Sequence, residues 1–117
     1  MNIQRYHTQQ KVTIANGEAL SEEFYLAPYT FLLVHMPAAW TAASVGFKVA
    51  QEEDGTYQPL YDEAGNLVQI ASPAVDKVYS APAEVAGGLF VKLWSQDGAG
   101  ANTNQGAERK LGLSMKG

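Results

Sequence analysis

Short apolar runs that alternate with turn residues constrain the fold of this chain more than any other feature of its sequence. The runs recur at intervals of roughly ten residues, and no stretch shows strong amphipathic helical periodicity. Asn16-Gly17 predicts a hairpin turn because both residues tolerate positive φ. Pro28 and Pro59 cannot donate a ladder hydrogen bond, so they indicate a chain break and an edge strand or bulge. The pattern predicts an all-β fold, namely an antiparallel, jelly-roll-like β-sandwich of about eight or nine short strands.

Two of the predicted strands differ in the number of faces that they bury. Residues 44–51 alternate, which predicts one buried face and one solvated face. Residues 30–36 are nearly all apolar, which predicts a strand covered on both faces or one with a face covered by a partner subunit. In the alternating strand, the predicted buried face holds Val45, Phe47 and Val49, and the predicted solvated face holds Ser44, Gly46 and Lys48.

The composition predicts one globular domain. The chain has 117 residues, of which 46% are hydrophobic and 17% are charged. We place a single β-sandwich domain at residues 11–117. Residues 1–10 are polar, lack periodicity and precede the first predicted strand, so we expect an N-terminal arm that a binding partner orders. The candidate attachment residues of this arm are Gln4, Arg5, Tyr6 and His7.

Charge and cysteine content argue against several classes of partner and site. The net charge is −4 and the eight basic residues are spread along the chain, so neither nucleic acid nor a membrane surface is expected as a partner. The absence of cysteine excludes disulfides, thiolate metal sites and cysteine nucleophiles. The N-terminus lacks the apolar segment of a signal peptide, and the longest strongly apolar run, residues 31–34, is far too short to span a membrane.

No arrangement of residues indicates catalysis. A catalytic site needs a nucleophile, a base and an orienting group together, and no serine lies in a Gly-x-Ser-x-Gly elbow. His7 and His35 are the only histidines, and their spacing supports no zinc site. The acidic clusters at residues 52–54 and 62–63 lack the alternating spacing of a calcium loop. We therefore expect a non-enzymatic protein with no cofactor and no metal.

The aromatic residues leave two interpretations open. They could form a platform that stacks on sugars, or they could pack in the core or at a protein interface, which we favour. Trp40 follows small residues in a loop between two predicted strands, where its ring would cap the core. Phe47 and Phe90 are predicted core residues. The aromatic residues open to both interpretations are Tyr25, Tyr29, Trp40, Tyr57, Tyr61, Tyr79 and Trp94. The candidate anchor or interface residues are Trp40, Phe31, Leu33, His35 and Trp94.

Several segments together resemble a family of small virion structural proteins of tailed bacteriophages. The most distinctive is residues 36–43, which read MPAAWTAA and lead into the alternating strand. The similarity covers roughly residues 11–115. Its motifs mark strand ends and turns, so the resemblance carries over no catalytic or cofactor residue. The other matching segments are residues 12–17, 54–56, 60–62, 104–109 and 111–113.

The resemblance implies a non-enzymatic virion component, assembled in the host cytoplasm, that binds the major capsid protein or other virion proteins. A capsid decoration (cement) protein is the leading expectation, followed by an adaptor for a head fibre, the neck or the tail. The apolar residues 30–36 predict a homo-oligomer, and a trimer is favoured because local threefold positions are natural docking sites on an icosahedral shell. The alternative is a carbohydrate-binding module of a receptor-binding or adhesion apparatus.

Overall fold

Nine β-strands and one short 3-10 helix form the part of the chain that the computed structural model describes, residues 7–117. The 3-10 helix spans Ala83–Gly87. No helix in this part of the chain is long and apolar enough to cross a membrane. In chain order, the strands are β1 (His7–Ile14), β2 (Phe24–Tyr25), β3 (Phe31–His35), β4 (Ser44–Ala50), β5 (Gln58–Pro59), β6 (Gln69–Ile70), β7 (Val78–Ser80), β8 (Phe90–Gln96) and β9 (Arg109–Lys116).

The strands form two antiparallel sheets with the strand order of a jelly roll. One sheet, the β3 sheet, has the order β1-β9-β3-β7. The other, the β4 sheet, has the order β2-β8-β4-β5, and β6 also pairs with β4. The first four strands alternate between the sheets and the last strand pairs with the first, so the chain wraps around the core. The predicted all-β sandwich is therefore confirmed.

The hydrophobic core lies between the two sheets and follows the period-two alternation of the strands. Inward positions on adjacent strands face each other in register, as Val34 of β3 and Leu113 of β9 do. Burial of a side chain of this size stabilises the fold by about 1.5–3 kcal/mol, so this core is the main source of stability. Its fully buried side chains include Val12, Ile14, Val34, Phe47, Leu93, Leu111 and Leu113.

The first strand begins earlier than the sequence predicts. β1 pairs with β9 over eight residues, from His7 opposite Lys116 to Ile14 opposite Arg109. Residues 7–10 therefore belong to the sandwich and not to an N-terminal arm, because backbone hydrogen bonds to β9 do not require an apolar pattern in this segment. His7 is an exposed residue of β1. The other candidate attachment residues, Gln4, Arg5 and Tyr6, lie outside the described residues.

The outer face of β4 differs from the prediction of a solvated face. Ser44 and Gly46 are buried, and Lys48 is half-buried. Trp94 of the neighbouring β8 lies over Gly46, and its indole is bonded to Asn102 in the loop that follows β8. The alternation rule fails here because a loop distant in sequence covers this part of the sheet.

The predicted turn residues lie at turns and edges of the sandwich. Gly17 has a φ of +81°, as the Asn16-Gly17 turn requires. Pro28 lies where the chain crosses from β2 in one sheet to β3 in the other. Pro59 lies in β5, a two-residue strand at the edge of the β4 sheet. The two prolines interrupt pairing because they lack a backbone N–H, and Gly17 allows the turn because glycine tolerates positive φ.

Candidate interaction surface

The outer face of the β3 sheet exposes large apolar side chains. Phe31 and Leu33 of β3 are 64% and 40% exposed, and Val78 of β7 is 53% exposed. The alternate residues of β3, Leu32 and Val34, are buried in the core. The prediction that the chain itself covers both faces of this strand is therefore wrong, because Phe31 and Leu33 are exposed. We call the outward side chains of β1, β9, β3 and β7 the Phe31 face.

Small residues of β9 leave a hollow of about 490 Å³ in the middle of this face, between Lys11 of β1 and His35 of β3. Leu33 lies opposite Ser114, and His35 lies opposite Gly112. A Cβ at Gly112 would lie 3.1 Å from the Cβ of His35, so the histidine packs closely over the glycine backbone. The Nε2 atom of His35 lies 2.8 Å from the hydroxyl oxygen of Ser114. His35 is thus held in place by its cross-strand neighbours.

The Phe31 face is basic although the chain as a whole is acidic. Lys11, Lys110 and Lys116 are exposed and point to this side, and Lys116 lies opposite Phe31. The four strands of the β3 sheet contain no Asp or Glu. Glu108 precedes β9, and its carboxylate lies 3.9 Å from the ammonium group of Lys110. Both side chains are well exposed, so this ion pair is weak and leaves the face positively charged.

A small apolar groove adjoins Phe31 and extends this surface. It has a volume of about 200 Å³ and lies between the start of β3 and the 3-10 helix. Ligand pockets are typically about 300–1,000 Å³, so a groove of this size suits a single side chain of a protein partner. Its apolar lining includes Leu26, Leu32, Ala81, Pro82, Val85 and Ala86.

Trp40 packs its ring against the core from the loop between β3 and β4. The ring is half-buried, and its indole N–H donates to the carbonyl of Ala43 at 3.1 Å. The next residue, Thr41, is fixed by Gln105: the Thr41 N–H donates to Oε1 at 2.8 Å, and Nε2 donates to the Thr41 carbonyl at 3.1 Å. These are the contacts of a ring that caps one part of the core.

Trp94 lies on the outer face of β8 and yet is only 1% exposed. Its indole N–H donates to Oδ1 of Asn102 at 2.7 Å, which ties the ring to the loop after β8. The ammonium group of Lys48 lies 4.7 Å from the ring centroid, a cation–π distance. Of the two roles that the sequence predicts for Trp94, anchor or interface, these contacts fit an anchor.

Buried glutamines hold the loop after β8 against the β4 sheet, and sequence reasoning missed them. Gln96 donates to Oε1 of Gln69 at 2.6 Å, and its own Oε1 accepts from the Gly98 N–H at 2.6 Å. Gln105 donates to the hydroxyl of Ser95 at 2.8 Å. No buried side-chain nitrogen or oxygen in the described part of the chain lacks a hydrogen-bond partner. The cluster is therefore satisfied from within, as a structural network would be.

Five of the other aromatic side chains make separate packing contacts, and Tyr61 is 51% exposed. Tyr25 lies 5.3 Å from Phe90 between ring centroids, and the ammonium group of Lys92 lies 4.5 Å from the ring of Tyr57. Phe90, predicted as a core residue, is only half-buried because it lies on the outer face of β8 with Tyr25. Tyr29 and Tyr79 pack against the core. These contacts favour packing over a sugar-stacking platform for this set.

Carboxylates in two turns accept hydrogen bonds from the backbone. Oδ1 of Asp97 accepts from the N–H groups of Ala99 and Ala101 at 2.8 and 3.1 Å, and these bonds lower the pKa of the Asp97 carboxyl. Oδ1 of Asp62 accepts from the Asn66 N–H at 2.8 Å. Within residues 7–117, no three His, Asp or Glu side chains gather in a group that could hold a metal ion.

A second charged surface, which we call the acidic turn, comprises residues 52–54 between β4 and β5. Its three carboxylates are exposed, and the Gly55 N–H donates to the Glu52 carbonyl at 3.0 Å. Burial raises the pKa of the nearby Tyr57 phenol, and the carboxylates of Glu23, Glu53 and Asp54 raise it further. The acidic turn extends from the β4 sheet, whereas the Phe31 face points away from that sheet.

The structure brings together some of the sequence-predicted residues and separates others. Phe31, Leu33 and His35 share one surface, whereas Trp40 and Trp94 lie elsewhere. The sequence analysis missed Val78 and the three lysines of the Phe31 face because they come from different strands. For Lys110 and Lys116 the signal is the alternation of β9, in which Lys110, Gly112 and Ser114 fall on the outward side.

Comparisons with known proteins show a shared fold. No protein-family model matches the chain, and no curated protein matches it. Among solved structures, the fold is similar to that in the crystal structure of the SPBc2 prophage-derived protein YomS, with a TM-score of 0.59 and 13% sequence identity. The match covers 100% of both chains. At this identity the similarity extends to the architecture of the whole chain and not to a particular role.

Proposed function

We propose that this chain is a non-enzymatic structural protein of a tailed-phage particle, where it decorates the capsid. The observation that carries the proposal is the Phe31 face, a sheet surface with exposed Phe31, Leu33 and Val78 and with exposed lysines. Contiguous exposed apolar surface on a folded domain marks an interaction site. The resemblance of residues 36–43 and its companion segments to phage virion proteins supports the same role, as does a fold shared with a prophage-derived protein.

Decoration would stabilise the particle by mass action. A protein that binds only the assembled shell favours that state by about 2.7 kcal/mol per site when its free concentration is 100 times its Kd. The β3 sheet suits this task because β1 pairs with β9 over eight residues. This pairing fixes the positions of the outward side chains of both strands. Side chains on a sheet are positioned more precisely than those on a loop, which lowers the entropy lost on docking.

The surroundings of the one Ser–His pair on the Phe31 face support a role without catalysis. His35 and Ser114 lie within hydrogen-bonding distance, as a base and a nucleophile would. A hydrolytic site also needs a group that orients the histidine. The strands that surround this pair contain no carboxylate, and Gly112 packs beneath the imidazole ring. We therefore assign the pair to the structure of the surface.

The proposal is tested on particles from a phage that encodes this chain, prepared with the gene intact and with an early stop codon. The intact particles should contain the chain in a copy number that matches the capsid lattice. Particles without it should lose their genome at a lower temperature. Addition of the purified protein should return that temperature to the value of the intact particles. A few copies per particle at the tail, together with binding on a glycan array, would instead favour the adhesion module.

A further inference from the structure

Two surfaces of this chain are complementary in charge. The Phe31 face is apolar and carries Lys11, Lys110 and Lys116, and the acidic turn lies beside an open hollow between the end of β4 and residues 87–89. We propose that Phe31 and Lys116 of one copy dock into this hollow and against the acidic turn of a second copy. Identical chains would then associate head to tail. This inference concerns the chain by itself and does not depend on a role in a phage particle.

The hollow has both apolar and acidic lining, and it has room for the Phe31 ring together with the Lys116 side chain. It has a volume of about 1030 Å³ and is bounded by the end of β4, the acidic turn and residues 87–89. Val49 and the 44% exposed Leu89 supply apolar surface, and Glu52 stands in the same wall. Phe31 is the most exposed of the large apolar side chains described. Docking would remove both Phe31 and Leu89 from water, and buried aromatic anchors of this kind dominate interface energies.

The charges around these two surfaces match. Lys116 lies opposite Phe31 in the pairing of β9 with β3, so a surface that receives the ring also meets the ammonium group. The acidic turn offers the carboxylates of Glu52, Glu53 and Asp54 at the edge of the hollow. Lys92, a cation near this turn, already lies over the ring of Tyr57. The turn therefore remains available to a cation from another molecule.

The same charges disfavour a symmetric contact between two Phe31 faces. Such a dimer would bring the lysines of both copies together on strands that contain no carboxylate, and juxtaposed like charges weaken an interface. The acidic turn follows β4 and the Phe31 face belongs to the β3 sheet, so the contact between two copies would join two different patches. A contact between two different patches is heterologous, and it forms a closed ring when the rotation permits. A closed ring of three copies would be the trimer that the sequence favours.

Sedimentation of the full chain over a concentration series tests the association. The wild-type mass should rise above the 12.6 kDa of one chain and should fall again in high salt, which screens the ion pairs. Phe31→Ser and Lys116→Glu should each weaken association by about tenfold or more. Lys77→Glu is the matched control, because Lys77 is exposed beside Met36, at the opposite end of β3 from Phe31.

A charge exchange identifies the two patches. One variant reverses the face with Lys110→Glu and Lys116→Glu, and the other reverses the turn with Glu52→Lys and Glu53→Lys. Each variant should remain monomeric alone, because its two patches have the same sign. An equimolar mixture should associate, because each reversed patch meets an opposite charge on the other variant. Glu63→Lys is the control for the turn, and circular dichroism verifies that every variant is folded.

Three results would overturn the inference. One is a wild-type chain that stays monomeric at all concentrations, and another is a charge-exchange mixture that does not associate. The third is Phe31→Ser with wild-type sedimentation. If the wild type is monomeric and Phe31→Ser only abolishes particle binding, the occupant of the face is a particle protein and not a second copy. Failure of the wild type to bind particles refutes the proposed function instead and leaves the sedimentation result standing.

Discussion

The indole ring of Trp94 lies directly on the backbone of Gly46 in the adjacent strand. A Cβ at position 46 would come within 2.8 Å of the ring atom Cε3 and within 3.3 Å of Cγ of Gln96. Only glycine fits here, because the ring is 1% exposed and is held by its hydrogen bond to Asn102. This contact attaches the loop after β8 to the outer face of the β4 sheet.

Gly46→Ala should destabilise the domain by about 1–3 kcal/mol, the usual cost of overpacking a closely packed site. The measurement is the free energy of unfolding in a denaturant titration. Gly87→Ala makes the same chemical change where no atom lies within 4 Å of the added Cβ. The control should stay within about 0.5 kcal/mol of the wild type. Equal effects of the two substitutions would show that Trp94 can move away from β4.

The two tryptophans should differ in their contribution to stability. Trp94→Ala removes a fully buried ring and should cost about 3–5 kcal/mol. Trp40→Ala removes a half-buried ring that packs on the core, so we expect a smaller loss of about 2–3 kcal/mol. Thermal melts and a glycan array on both variants make the test. A Trp40→Ala protein with an unchanged melt and lost glycan binding would favour the carbohydrate-binding module.

Acid should loosen the turn that Asp97 organises. The folded pKa of this carboxyl is lowered by hydrogen bonds from the Ala99 and Ala101 N–H groups. The stabilisation is therefore fully present above the unfolded aspartate pKa of about 3.9 and is lost as the pH falls through the lower folded value. The protection of the Ala99 and Ala101 amides, measured by NMR as their exchange rate relative to the intrinsic rate at each pH, should fall in that range. Asp97→Asn should show no such step, and a wild-type profile as flat as that of the variant would contradict the assignment.

Residues 1–6, which lie outside the described residues, are predicted to contribute to attachment. The informative truncation removes residues 1–6, because it keeps the described pairing of β1 with β9, from His7 to Ile14, intact. The truncated chain should melt like the full chain and bind particles more weakly. A longer truncation of residues 1–10 is the comparison, since it also removes four residues of β1 and should lower the melting temperature. Unchanged particle binding by the shorter truncation would exclude an attachment role for residues 1–6.

Local sequence signals predict much of this fold. Alternation places Val12, Ile14, Val45 and Phe47 in the core, and all four are buried. Pro59 in an edge strand and Gly17 at a positive φ follow from backbone chemistry that acts within a few residues. The sandwich can therefore be inferred without knowledge of distant contacts.

Contacts between distant segments account for the features that sequence analysis did not predict. Residues 7–10 have no apolar pattern, and β9, about one hundred positions later, makes them a strand. Ser44 and Gly46 are buried because Trp94 and the loop after β8 lie over them. Gln96 and Gln105 resemble solvated loop residues until their partners Gln69 and Ser95 are known. The lysines of the Phe31 face come together only when β1, β9 and β3 are paired.

Cryo-electron microscopy of intact particles from a phage that encodes this chain tests the central claim most directly. The account predicts density for the jelly roll of residues 7–117 at regular positions on the capsid surface. That density should be absent from particles made with the early stop codon. Intact wild-type particles that carry no such density, and in which mass spectrometry finds no peptide of this chain, would contradict it.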